Sequence, residues 1–491
     1  MKKNRLLSLL LSLALLLSAA VQTAAAEPSP AESTSATASA ETEPSASSAA
    51  ESEPSYHALP TPTELNVTSD YSVKAEAALL LEMNSNTVLY SLNPDEQVYP
   101  ASLTKIMTCL LAIEHGDLDA TVTVSGNAFF DLDVAGSNVG LQTGEQLTLR
   151  ELLYCALVAS ANEACNVIAE YIAGDVPSFV QMMNEEAAAL GCTGTHFANA
   201  HGLHESDHYT TARDLCTIAR RAWQNETFRE ICTTTVHTVP PTNLSDERVL
   251  ATTNYLVSTA TTDSYYYSKA SGIKTGYTSK AGRCLISTAD DGKLSLLSVV
   301  LGAQTSEDEN GLPVYESFTE TKKLFEYGFN NFAYTKILSV NSPLAQVPVA
   351  LSAKAPSVVI KPASDVYAML PKEFDASLLQ TEYKLDAQGG LQAPLAAEQR
   401  VGSVVVTFNG KEIGSTSVVT LTAVERSELQ YTVKKTRGFF SRFWWIFLFV
   451  LVGFILLMSI RIHNVRTARR ARRRRNQQRR PNFQQNKQGK E

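Results

Sequence analysis

Apolar residues recur along this chain with two periods, and the change of period marks its segments. Residues 77–81 and 87–89 are short apolar runs on either side of Asn84-Ser85-Asn86, and they predict two strands joined by a turn. Ile106, Cys109, Leu110 and Ile113 then fall at helical spacing, which predicts a helix running from near Ser102. Thr148-Leu149-Arg150-Glu151 has the spacing of a capping box before another periodic stretch. Residues 163–173 continue helically, and Gly174 supplies the stop. Residues 296–301 are mostly apolar and short enough for a buried strand. From about 338 to 428 the chain becomes Pro-punctuated and β-branched, with no convincing helix. Asn409-Gly410 between the apolar runs 404–408 and 417–421 predicts a hairpin there.

The ends differ from this body. Lys2, Lys3 and Arg5 precede an apolar run at 6–20, and Ala24-Ala25-Ala26 offers small residues for cleavage, the pattern of an export signal. A retained membrane helix is the alternative, disfavoured by the short apolar core. Residues 27–65 are Ala, Ser, Glu, Thr and Pro with almost no aromatics, a composition that buries too little to offset chain entropy. Residues 443–460 carry no charge over about the length that a hydrocarbon core requires, with Trp444 and Trp445 suited to the interface. The expected organisation is a signal peptide (1–26), a linker (27–66), a catalytic domain (67–335), a β-rich domain (336–428), a juxtamembrane segment (429–442), a transmembrane helix (443–462) and a basic cytoplasmic tail (463–491).

Charge sharpens that picture. The formal net charge of −8 conceals 12 Lys/Arg against one acid in 461–491, and three Lys/Arg with no acid in 1–26. Residues 27–460 are left with 27 basic and 49 acidic side chains, a formal −22, which argues against a nucleic-acid partner. The basic flank after 460 belongs on the cytoplasmic side, against anionic lipid, with the body outside. Seven cysteines lie between Cys109 and Cys284, so at least one thiol has no intramolecular partner. No C-x-x-C pair suggests zinc or a redox dithiol, and most sit in apolar runs as small buried side chains.

Three short patterns carry the chemistry: Ser102-Leu103-Thr104-Lys105, Ser160-Ala161-Asn162 and Lys274-Thr275-Gly276. Each alone is weak. Ser102 reads equally well as a helix N-cap, Lys105 as a solvated first-turn residue and Asn162 as a turn former. Ser271-Gly272-Ile273-Lys274 repeats Ser-x-x-Lys, but in a strand residues three apart face opposite ways. On a helix they share a face, so only Ser102 and Lys105 can pair hydroxyl with amine. A Ser at a helix start also meets unpaired N–H groups, useful against a developing oxyanion. Such a base must be neutral. Bringing a lysine down from ~10.4 to roughly 7–8 costs about 4 kcal/mol, so a crowded, dry site with Lys274 as a second cation is expected.

The three motifs together resemble the serine penicillin-recognising enzymes. Tyr99 to Thr108 (YPASLTKIMT), Asn199-Ala200-His201-Gly202-Leu203, His208 to Leu215 (HYTTARDL) and Gly272 to Thr278 (GIKTGYT) narrow the resemblance to the D-alanyl-D-alanine carboxypeptidases, the low-molecular-mass penicillin-binding proteins. It spans about residues 70–430. It implies an α+β fold, an antiparallel sheet flanked by helices plus a helical lobe, followed by a small β-rich domain. It also implies a peptidoglycan stem peptide as substrate, β-lactam antibiotics as covalent ligands, and no cofactor. Ser102 would be the nucleophile, Lys105 its base and Ser160 a proton relay. Asn162 would orient the peptide and Lys105, Lys274 would supply positive potential, and Thr275 would hold the terminal carboxylate. Gly276 would allow close approach, and the N–H groups of Ser102 and Tyr277 would form the oxyanion hole. Ala161 and Glu163 stand where the family often has Gly and Asp. A full membrane span replaces its frequent amphipathic helix.

Three other readings compete. His201, His204 and His208 have ligand-like spacing, but Gly202 and Glu205-Ser206-Asp207 make a helix doubtful, and no metalloprotease Glu accompanies them. A β-lactamase-like hydrolase would share the motifs and would need a base dedicated to deacylation, which is not identifiable. A catalytically silent wall-binding scaffold would have no need of the intact Ser102, Lys105 and Lys274.

Overall fold

In a computed structural model the described residues are 59–65, 71–130, 132, 136–260 and 262–478. The expected signal peptide, most of the expected linker and the end of the basic tail lie outside them.

The catalytic body is built on a six-stranded sheet. Its strands are β1 (Thr63–Glu64), β2 (Ala77–Glu82), β3 (Thr87–Leu92), β4 (Ala270–Thr278), β5 (Gly282–Asp290) and β6 (Ser295–Ala303), in the spatial order β1-β3-β2-β6-β5-β4. All neighbours run antiparallel except β1 and β3. β2 and β6 are apolar at nearly every position because both faces of the sheet are covered. Leu79, Leu81, Leu297 and Val299 point into one cluster, and Leu80, Leu296 and Val300, one residue out of phase, into the other.

The first cluster is roofed by α1 (Lys105–His115), α2 (Leu149–Leu157), α3 (Asn162–Ala173), α4 (Val176–Ala189), α5 (Ala212–Trp223) and α6 (Glu226–Thr233). The second is closed by α7 (Glu316–Asn331), through Phe318, Leu324 and Phe325. Thr148 caps α2 by accepting the Glu151 N–H at 3.2 Å. The expected capping box is nonetheless half made. The Glu151 carboxylate turns instead to the Nε2 of His237 at 2.7 Å, a charge-capable partner.

One boundary moves. Residues 27–66, expected as linker throughout, contribute β1 to the sheet. Asn86 donates to the carbonyls of Pro60 and Thr61, and Arg220 donates to Pro60, so long-range hydrogen bonds order a segment too polar to order itself. The boundary expected at 335–336 falls within a strand, Phe332–Leu338, that pairs with Val366–Pro371.

The β-rich region has a second six-stranded sheet, with the hairpin Arg400–Phe408 and Lys411–Thr420 turning at Asn409-Gly410. It is not packed independently: Met369, Leu370 and Phe408 share one apolar cluster with Leu80 and Phe325 of the catalytic body. Residues Glu428–Gln478 form a single 51-residue helix, α8, on the order of 75 Å long at 1.5 Å per residue. The segments expected as separate juxtamembrane and tail pieces are therefore continuous with the span as far as 478. No proline interrupts them, and their Lys, Arg, Leu and Gln residues favour helix. The most apolar 18-residue window of α8 has a mean hydropathy of 2.6 and none of it is buried, so the helix is long and apolar enough to cross a membrane.

Candidate active site

The site lies where the start of α1 meets the edge strand β4. Pro100 leads into a single 3-10 turn, Ala101–Thr104, which carries Ser102 and runs directly into α1. Ala101 enters it with φ 49°, a left-handed conformation that costs a non-glycine residue on the order of 1–3 kcal/mol. Gly276 on β4 explains how strand and turn come so close. A Cβ there would stand 3.1 Å from Ala101 Cβ, Pro100 O and Ser102 N.

Lys105 is wholly buried, and its Nζ has three partners: Ser102 Oγ at 3.0 Å, Asn162 Oδ1 at 2.8 Å and the His201 carbonyl at 2.6 Å. Two of these can only accept. A neutral amine has two N–H bonds and one lone pair, so Asn162 and His201 take the hydrogens and the lone pair is left facing the Ser102 hydroxyl. Burial holds the Lys105 pKa below its ordinary value.

Lys274 is also buried, at 1% exposure, and donates to the Thr275 carbonyl at 3.0 Å. Burial first, and then the nearby Lys105, bring its pKa down to about 7. The expected pair of amines is thus present, but desolvation rather than mutual repulsion is the main cause of both shifts.

Ser160, with φ 63°, lines the same cleft as Ser102, Thr275, Gly276 and Tyr277. The Thr275 hydroxyl is hydrogen-bonded to that of Thr253, and Tyr277 is open to solvent. All eight residues singled out in the sequence come together here. Glu163, one of the departures, is buried and accepts the Val139 N–H at 2.7 Å. It thereby ties α3 to the loop whose Ser137 carbonyl accepts the Asn162 N–H.

The three histidines do other work. His208 Nδ1 accepts the Ala198 N–H at 2.9 Å, so its proton lies on Nε2, which donates to Thr104 Oγ1 at 2.7 Å. Thr104 in turn donates to the Ala101 carbonyl at 2.9 Å. This chain braces the strained residue beside Ser102, and burial keeps the ring neutral by bringing its pKa down to about 4. His201 Nδ1 accepts the Leu203 N–H at 3.2 Å, while its own carbonyl serves Lys105. His204 packs edge-on against Tyr99.

Asn199 holds this loop by accepting from Gly202 N at 2.7 Å and donating to Leu203 O at 3.0 Å. Gly202, φ 88°, leaves no room for a side chain, since a Cβ would lie 1.9 Å from the Ala101 carbonyl. Sequence reasoning named these stretches as part of the resemblance and assigned them no role. Their work is contact across about a hundred residues, which periodicity does not report.

Residues 64–305 match the D-alanyl-D-alanine carboxypeptidase family, and residues 332–426 match the C-terminal domain of penicillin-binding protein 5. Among similar curated proteins, D-alanyl-D-alanine carboxypeptidase DacA of Escherichia coli strain K12 is 31% identical over 362 residues, covering 71% of this chain and 83% of the relative. DacF of Bacillus subtilis strain 168 is 28% identical over 381 residues, covering 77% and 92%. The crystal structure of penicillin binding protein 5 from Haemophilus influenzae superposes with a TM-score of 0.53 at 29% identity, covering 73% of this chain and all of that one. On the family match over residues 64–305 and the 31% identity to a relative of which 83% is covered, the chain belongs to the D-alanyl-D-alanine carboxypeptidase family.

Proposed function

We propose that this enzyme removes the terminal D-alanine from peptidoglycan stem pentapeptides through an ester on Ser102, and that penicillins acylate the same hydroxyl. The observation that carries the reading is the Lys105 amine: wholly buried, held by two obligate acceptors, and 3.0 Å from Ser102 Oγ.

Ser102 Oγ attacks the carbonyl between the two D-alanines as Lys105 takes its proton. The negative oxygen that forms lies toward the N–H groups of Ser102 and Tyr277, which Gly276 brings to one seam. Ser160 passes a proton to the departing nitrogen, D-alanine leaves, and water opens the ester with Lys105 again as base. Among the described residues no Asp or Glu lines this cleft, so nothing favours fast release of a penicilloyl ester, and a long-lived adduct is expected.

Mass spectrometry of the full chain after labelling with fluorescent penicillin tests this, beside D-alanine release from a pentapeptide. An adduct on Ser102, absent from Ser102→Ala, is expected. Labelling elsewhere, or undiminished D-alanine release by the variant, would sink the assignment.

For topology, the α8 span supports a single-pass anchor, and the 12 Lys/Arg after residue 460 favour a cytoplasmic tail with the catalytic body outside. Protease added to intact cells should remove the catalytic body and leave an epitope at residue 491 protected. Digestion of the epitope instead would reverse the orientation.

A further inference from the structure

Ser137 lines the catalytic cleft together with Ser102 and Ser160, and it also lines a second cavity of about 320 Å³. Asn162, whose side chain holds Lys105, lines that second cavity as well. The two spaces therefore adjoin at residues that position the base. Phe129, Leu132 and Leu141 give the second one apolar walls, and Glu163 on α3 is the only ionisable side chain among the described residues that line it.

Glu163 is 2% exposed and only half satisfied. Its Oε1 accepts the Val139 N–H at 2.7 Å, while Oε2 is buried and has no hydrogen-bond partner among the described residues. A buried carboxylate oxygen without a donor is unfavourable until something brings a donor to it. Lys105 does not, since its three contacts are Ser102, Asn162 and His201. Apolar walls around one unpaired carboxylate oxygen suit a group of definite chemistry, an ammonium carried on an aliphatic arm.

The substrate of the proposed reaction can present such a group only on its acyl side. Its terminal carboxylate goes to Thr275 in the reading above, and Thr275 lines the cleft but not the second cavity. The penultimate D-alanine has only a methyl group. The residue before it is the first whose side chain is long enough to pass Ser137.

We infer that Glu163 Oε2 receives the side-chain ammonium of the residue preceding the D-alanyl-D-alanine pair, a diamino acid whose aliphatic arm lies against Phe129, Leu132 and Leu141. This rests on the carboxypeptidase reading above and adds to it a preference on the acyl side. A stem whose side-chain amine is acylated, as it is when a cross-link forms there, has no ammonium to offer and should be the poorer substrate. The cavity thus directs the enzyme to stems with that amine free.

The test uses two pentapeptides, with lysine or norleucine before the D-alanyl-D-alanine pair, both N-acetylated so that the side chain is the only source of an ammonium. D-alanine release by the full-length enzyme should favour the lysine peptide roughly 10- to 100-fold in kcat/KM, mostly through KM. Glu163→Gln keeps an oxygen for the Val139 N–H and loses the charge. In that variant the preference should shrink to within about threefold, through loss on the lysine peptide. No preference in the unaltered enzyme overturns the proposal without any variant. A preference that survives the substitution also overturns it, and so does an equal loss on both peptides, because the carboxylate would then act through Lys105 and not on the substrate.

Labelling of Ser102 by a fluorescent penicillin reports whether the variant is folded. If it is not, a third peptide bearing Nε-acetyl-lysine takes its place, measured on the unaltered enzyme. Its kcat/KM should fall to about that of the norleucine peptide, and a value equal to that of free lysine overturns the proposal. Release of D-alanine from none of these peptides would instead overturn the carboxypeptidase reading itself, a result distinct from the others.

Discussion

Gly276→Ala puts the seam between β4 and the Ser102 turn directly under strain. The added methyl would meet Ala101 Cβ, Pro100 O and Ser102 N simultaneously, each at 3.1 Å. Comfortable contacts begin near ~3.5 Å, so β4 and the Ser102 turn must part by roughly 0.4 Å. Neither side yields easily. Two of the three contacts are main-chain atoms, and Ala101 is already held at φ 49° by the His208–Thr104 brace. Overpacking of this kind costs about 1–3 kcal/mol of stability. The effect on rate should be larger in proportion, because the displacement falls between the two N–H groups assigned to the oxyanion. Misplacement on the order of 1 Å, or loss of one such donor, costs about 10²-fold. The second-order rate of penicillin acylation, followed by labelling of the full chain, should fall roughly 30- to 100-fold, with the melting temperature lower by a few degrees. Gly126→Ala is the control. Its Cβ would lie 3.9 Å from Thr143 and its φ is −67°, so neither quantity should move. Acylation by Gly276→Ala within threefold of the parent, at an unchanged melting temperature, would show that the seam is not rigid and that the reasoning fails.

Other consequences can be checked alongside it. Asn162→Ala frees one of the two N–H bonds that aim the Lys105 lone pair, and kcat for D-alanine release should fall tenfold or more while penicillin still labels Ser102 slowly. An unchanged kcat would mean that Asn162 does not orient the base. Lys274 has a folded pKa of about 7 against an unfolded value near ~10.4, so between these pH values the unfolded chain binds the extra proton and stability rises with pH. Denaturant unfolding at pH 7.5 and 9.5 should show a steeper rise for the parent than for Lys274→Met; equal slopes would contradict the shift. His208 gives the opposite flank: as pH falls below about 6.5 the unfolded ring takes up a proton that the native ring refuses until about 4, so stability drops there. His208→Gln, measured the same way, should flatten that drop. A chain ending at residue 427 should leave the membrane fraction with its acylation rate intact, since the apolar window of α8 has no buried residue; loss of acylation would show that the helix supports the site.

How far the sequence can be read depends on whether the signal is local. The β2–β3 turn, the hairpin at Asn409-Gly410 and the α3 stop at Gly174 are each set by neighbours within a few residues, and each stands where its composition indicates. The pairing of Ser102 with Lys105 is local in the same sense, because three residues of helix bring them to one face. Strand β1 is different. Its two residues carry no pattern, and distant contacts order the segment: pairing with β3, hydrogen bonds to Asn86 and Arg220, the ion pair of Glu64 with Arg213 and the burial of Leu65. Gly202 reads as a turn glycine until the Ala101 carbonyl is found 1.9 Å from its absent Cβ. The contact between Ser102 and Lys105 is legible in the sequence, whereas the residues that strain and brace the turn depend on tertiary contacts.

The same division explains why the site is dry. A lysine keeps its proton wherever water reaches it, so the proposed chemistry requires the Lys105 amine to sit inside the body and to find partners there. The sheet provides this by covering both of its faces: β4 can carry Lys274 inward because α1 and α3 close over it, and α1 can bury Lys105 because the 199–203 loop supplies a carbonyl to the amine. That loop is tied in place by Asn199, and the turn it packs against is braced through His208. Removing either tie would not delete a reacting group. It would admit water, return Lys105 toward its ordinary pKa and leave the Ser102 hydroxyl without a base. The polar residues around the amines therefore act on the rate through the hydration of one nitrogen, and that nitrogen's protonation is the quantity on which the whole arrangement turns.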